Sequence, residues 1–146
     1  MRAVVSVVVA SVLLAVAAVT FGQEGETKTH QGGGVTIEAT YLGVQQEGDR
    51  EVIKIEVKMD THSVGLDQYQ MEALSALRDG QGRELRPVRW VSASGGGHHR
   101  AGVLLFPVVD SSGRPFIAKE SQYLELVIRN VAGVKERTFR WKPAQS

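Results

Sequence analysis

The sequence predicts an all-β protein: an antiparallel, immunoglobulin-like sandwich of about seven strands, with a signal-peptide helix ahead of it. Three observations lead there. Short apolar/polar alternations recur from residue 35 onward, each bounded by clusters of Gly, Pro, Asn, Asp or Ser. No stretch after residue 22 holds a 3.6-residue apolar period long enough for a stable helix. The chain also has 146 residues and no cysteine, so one core must hold a single domain without disulfides.

Met1 and Arg2 give a short positive start, and residues 3–19 are apolar apart from Ser6 and Ser11. Thr20, Phe21 and Gly22 then place small residues at the −3 and −1 positions of a cut before Gln23. Residues 1–22 therefore have the layout of a secretory signal peptide, and the expected location is exported, periplasmic or extracellular. An uncut segment of about 20 apolar residues would also cross a bilayer, which is the single membrane association the sequence allows. Residues 23–34 are polar, Gly-rich and without period, and are expected to form a flexible leader. The sandwich domain is assigned to residues 35–142.

Within it, residues 35–44 alternate with Val35, Ile37, Ala39 and Tyr41 on one face. Residues 45–50 turn. Residues 51–60 set Ile53, Ile55, Val57 and Met59 against Lys54, Glu56, Lys58 and Asp60. A loop at 61–70 leads to a weaker strand at 71–78, and Asp79-Gly80-Gln81-Gly82 forms a tight turn. Pro87 lacks an N–H, which puts the strand at 84–91 on a sheet edge. Residues 92–100 (SASGGGHHR) read as a loop, 101–109 as a strand buried on both faces, and 110–121 as turns. Residues 123–129 and 136–142 are the last strands, joined by a turn at 130–135. Phe139 and Trp141 share one face, with Arg137 beside them or at the rim. Arg86, Arg89, Arg129, Arg137 and Arg140 are expected as solvated cross-strand partners of acids.

Alternation of strand direction has a consequence. The loops at 61–70, 92–100 and 130–135, with residues 30–34, fall at one end of the sandwich, so all four histidines (His30, His62, His98, His99) gather there. Two chemistries suit that set. His62, His98, His99 and Arg100 can line a ligand-binding end, with the preceding glycines and Arg100 suited to an anion. Alternatively, His62, His98 and His99 can ligate copper or zinc, since imidazole suits both. No catalytic residue is assigned. Asp60, His62 and Ser63 resemble a hydrolytic set in composition alone, and the nucleophile-elbow pattern G-x-S-x-G is missing.

Charge narrows the partners. The chain carries 17 Lys+Arg against 16 Asp+Glu, and Arg2 lies in the expected signal peptide, so the remainder is balanced. Without a basic block there is no electrostatic footprint for nucleic acid. The order T-H-S, L-R-D-x-x-G-R-E, G-G-G-H-H-R-A-G-V-L-x-F-P and L-V-I-x-N-V-A-G-V-x-E-R-x-F-x-W, over Gly33 to Trp141, resembles small exported prokaryotic proteins with an immunoglobulin-like sandwich and no established activity. That resemblance implies export and the sandwich and brings no catalytic residues. The architecture more loosely resembles periplasmic copper carriers, whose Met/His-rich ligand pattern this sequence lacks. The resulting expectation is an exported, non-enzymatic binding module without a resident cofactor. Its ligand would be a protein, a glycan or a small anion.

Overall fold

The computed structural model describes residues 25–142, and the expected signal peptide at 1–22 lies outside them. Two antiparallel sheets face each other. The first holds β1 (Thr27–Gly32), β2 (Val35–Glu47), β3 (Arg50–Thr61), β7 (His99–Pro107) and β6 (Arg89–Gly96), in that order across the sheet. The second holds β5 (Glu84–Leu85), β4 (Ser75–Asp79), β8 (Leu124–Val131) and β9 (Val134–Trp141). With β1 set aside, the orders β2-β3-β7-β6 and β5-β4-β8-β9 match the A-B-E-D and C′-C-F-G sheets of the immunoglobulin-like fold. The predicted fold class is therefore the observed one, with nine strands among the described residues.

The core comes from the alternation itself. Ile37, Ile53, Ile55, Val57, Leu104, Leu126, Ile128 and Trp141 are all fully buried between the sheets. Burying an aliphatic side chain of this size stabilises by roughly 1.5–3 kcal/mol, so a continuous core of this kind can carry the fold without disulfides. Outside the second sheet, Arg129 pairs with Glu84 at 2.6 Å and Glu136 at 3.0 Å, and Arg140 pairs with Glu125 at 3.1 Å.

Four local expectations are corrected. Much of the stretch assigned to a flexible leader is strand: β1 pairs with β2 along its whole length, from Thr27↔Thr40 to Gly32↔Val35. Polarity misled there because β1 is a sheet edge that buries none of its residues fully. The expected strand at 71–78 begins as one helical turn, α1 (Met71–Leu74), with Met71 sunk in the core, and extends only from Ser75. The expected strand at 84–91 breaks at Pro87 and its two halves belong to different sheets. The loop at 92–100 is mostly strand: β6 and β7 pair as far as Gly96↔His99, leaving Gly97 and His98 as the turn.

Candidate functional site

The four connections predicted to share one end do share it. Val35 pairs with Thr61, and Asp60 pairs with His99, so the β1–β2 turn, the 61–70 loop and the β6–β7 turn are neighbours. A Cβ on Gly33 would lie 2.0 Å from the Ala132 carbonyl oxygen, which brings in the β8–β9 turn as well. Gly33 also has φ +61°, so both its conformation and its contact require glycine.

What joins these connections is a closed circuit of hydrogen bonds. Thr61, buried, donates its hydroxyl to the Gly34 carbonyl at 2.7 Å, while its N–H donates to the His98 carbonyl at 3.0 Å. Leu66 N–H donates to the Gly97 carbonyl at 2.8 Å, and Gly97 N–H donates to the Asp67 carboxylate at 2.9 Å. One Arg100 nitrogen, Nη1, donates to the carbonyls of Leu66 at 3.0 Å and Tyr69 at 2.6 Å. The Tyr69 hydroxyl accepts from Ala132 N–H at 2.9 Å. Arg137 closes the circuit, donating from Nη1 to the Val131 carbonyl at 2.7 Å and from Nη2 to the Gly32 carbonyl at 2.6 Å.

Arg137 corrects the expectation of a solvated partner. Its side chain is fully buried, on the same face as Phe139 and Trp141. No carboxylate pairs with it among the described residues, and burial lowers its pKa from the usual arginine value. Two carbonyl dipoles take the place of a counter-ion, and Nε has no hydrogen-bond partner among the described residues. Alternation was the signal available in the sequence: Arg137 stands two residues before Phe139 and four before Trp141 on an inward face.

The predicted site residues divide into two groups. His62 and His98 are exposed and have no side-chain hydrogen-bond partner among the described residues. His99 Nδ1 lies 2.5 Å from Asp60 Oδ1, a solvent-facing pair on the outer face of the first sheet. Asp60 therefore meets His99 and not His62, so the Asp60, His62 and Ser63 hydrolytic set does not assemble. Arg100 is half-buried, is engaged with backbone carbonyls and sits 5.7 Å from the centre of the Trp90 ring. His30 lies on β1 with its ring 6.4 Å from that of Phe139, under the edge of the sandwich. Among the described residues, no three His, Cys, Asp or Glu side chains come together as a metal site. The cleft bounded by Lys58, Asp60, Ser94, His99 and Arg100 holds about 180 Å³. Small-molecule sites usually offer roughly 300 Å³ or more.

The opposite end contains a repeat that was not recognised in the sequence. Asp79-Gly80-Gln81-Gly82-Arg83 and Asp110-Ser111-Ser112-Gly113-Arg114 are two copies of the pattern D-x-x-G-R. In each, the aspartate N–H donates to the arginine carbonyl and the glycine N–H donates back to the aspartate carbonyl. The copies are joined by Arg83, which reaches Asp79 at 2.7 Å and Asp110 at 2.9 Å.

No protein family matches the chain, and no characterised protein matches it in sequence. Among solved structures, the secreted protein MPT63 of Mycobacterium tuberculosis is similar at 14% identity and a TM-score of 0.47, covering 84% of this chain and 95% of that one. A likeness of that strength assigns no function, and the sandwich stands on the strand ladders themselves. No helix among the described residues is long and apolar enough to cross a membrane.

Proposed function

We propose that this protein is an exported, non-enzymatic binding module whose recognition surface is the end bearing His62, His98 and His99. One observation carries the reading: four connections from distant parts of the sequence are tied by a single hydrogen-bonded circuit, leaving His62 and His98 exposed on top of it. Fixing the surface in advance lowers the ordering cost of binding. In the immunoglobulin-like fold the corresponding B–C and F–G connections are those variable domains use for recognition, an analogy of position only.

A macromolecular partner, protein or glycan, is preferred to a small anion because Arg100 is engaged with the Leu66 and Tyr69 carbonyls and the Asp60 carboxylate lines the cleft. Arg100 acts as a clamp beneath the surface and is a supporting residue in this reading. Export rests on the signal-peptide layout of residues 1–22. The copper or zinc alternative through His62, His98 and His99 lacks an observation in its favour, because among the described residues no three His, Cys, Asp or Glu side chains gather as a metal site.

A photo-crosslinking residue introduced at His98 tests the reading, with Ser111 at the opposite end as control. Incubated with the exported fraction of the source culture, the His98 protein should yield a discrete adduct that the Ser111 protein does not. Equal labelling from both positions, or none from either, would sink the proposal. Saturable heat release on adding Cu(II) or Zn(II) to chelator-stripped protein, abolished in a His98→Ala/His99→Ala variant, would replace it with the metal reading.

A further inference from the structure

A second surface lies at the opposite end, independent of the histidine loops. Val52, Val88, Leu105, Pro107, Val108 and Val109 line a groove of about 650 Å³ between the β2–β3 hairpin tip and the start of β6. Val88 is 55% exposed and Val109 41% exposed, two of the three large hydrophobic residues left open to solvent among the described residues. A concave groove with an apolar floor and polar groups at its margin is the default candidate for a binding site.

The ladder shows what shape would fill it. β3 pairs with β7 from Asp60↔His99 to Val52↔Pro107, where the pairing stops. Pro107 has no N–H to continue it, and the chain turns away to pair with its own loop: Phe116 N–H donates to the Val108 carbonyl and Val109 bridges Pro115. β3 nevertheless runs on through Glu51 and Arg50, paired there with β2 alone among the described residues. Arg50 closes the two-residue β2–β3 turn against Glu47, so its N–H and C=O face β2, and the N–H and C=O of Glu51 are the pair left facing the groove, above an apolar floor of Val52, Leu105 and Pro107. Its walls carry both signs of charge: Glu51 on β3 makes no ion pair among the described residues, while Arg89 on β6 faces Glu47, which Lys54 also holds at 2.6 Å, and Arg50 lies 4.0 Å from Asp49.

We propose that this groove docks an extended apolar peptide segment of a partner protein, which continues the track of β7 along the free edge of β3. An extended backbone satisfies the unpaired β3 groups, an apolar side chain fills the floor, and flanking charges of either sign meet Glu51 and Arg89. A small amphiphile would fill the floor but leave the strand edge unpaired.

The test uses the labelled, end-blocked peptide Lys-Val-Leu-Val-Glu as probe, with fluorescence anisotropy and amide NMR of the exported protein. Saturable binding is expected, with the largest shifts at the amides of Glu51 and Val88. Val88→Asp, at a position exposed enough to leave folding intact, should weaken it at least tenfold, and the peptide with serines in place of its apolar residues should not bind. A His98→Ala/His99→Ala variant should bind as the parent does, so failure of the loop-end proposal and failure of this one are separable. Absence of saturation at millimolar peptide, shifts that miss Glu51, or undiminished binding to the Val88→Asp variant would overturn it. So would binding of the apolar dye anilinonaphthalene sulfonate without binding of the peptide.

Discussion

The two ends of the sandwich are held together by different chemistry. At the histidine end the joining atoms are mostly backbone carbonyls, reached by the side chains of Thr61, Arg100 and Arg137, with Tyr69 accepting from a backbone N–H. At the other end, Arg83 ties two aspartate turns together through carboxylates and stacks 5.2 Å from the centre of the Phe116 ring. Carbonyls do not titrate and carboxylates do, so the ends should respond differently to mutation and to acid. The Arg137 linkage is fully buried, whereas Arg83 stays partly exposed over a buried Asp79, so the first should weigh more on global stability and the second on the order of the two turns it joins.

The largest effect that bears on this contrast is removal of Arg137. Arg137→Ala deletes two charge-assisted hydrogen bonds, strands the Gly32 and Val131 carbonyls and opens a cavity. A loss of about 3–4 kcal/mol is expected in urea unfolding, with Arg137→Met recovering part of it by filling the space. If Arg137→Ala were as stable as the parent, the circuit would not organise its end. Next comes Gly33→Ala, which places a methyl 2.0 Å from the Ala132 oxygen at a φ of +61°. About 2–3 kcal/mol should be lost, and hydrogen exchange should quicken in both the β1–β2 and β8–β9 turns. Exchange changes confined to one turn would show that the two are not coupled.

Acid should act on the other end. The Ser112 hydroxyl, with the N–H groups of Arg114 and Ser112, holds the Asp110 carboxyl below the ordinary 3.8. Arg129, hydrogen-bonded to Glu84, holds that carboxyl below 4.5. Both titrate lower in the folded than in the unfolded chain, so their contribution is complete above about pH 4.5 and is lost as pH falls through that value toward their folded pKa values. Melting followed from pH 6 to pH 2.5 should show the decline. NMR over the same range should place the first disorder at residues 108–118, ahead of the 61–70 loop. Arg83→Met should quicken exchange at neutral pH in both turns, residues 79–83 and 108–118, with a smaller loss of global stability than Arg137→Ala. The smallest effect is expected from His62→Ser and His98→Ser, each within about 2 °C of the parent melting temperature, since neither side chain is tied down. A larger drop would mean that the exposed histidines are structural.

Some of this was legible in the residues. The alternations at 35–41 and 53–59 named the inward faces, and counting strands placed the loops of His62, His98 and His99 together before any contact was known. The D-x-x-G-R repeat was equally visible in the spelling and was overlooked, because a five-residue turn is too short to register as an internal repeat. β1 was missed because a polar edge strand gains its order from hydrogen bonds to a neighbour and carries little apolar pattern of its own.

By itself, then, the sequence determined which faces are apolar, which segments extend and at which end each connection falls, because a period of two and alternating strand direction are local properties. Only the tertiary structure decided that Arg137 and Arg100 are spent beneath the surface, since the carbonyls they reach belong to turns elsewhere in the chain. It alone decided the groove at the opposite end. That groove exists because Pro107 stops one strand while its neighbour continues, and a difference in strand length shows only once the strands are paired.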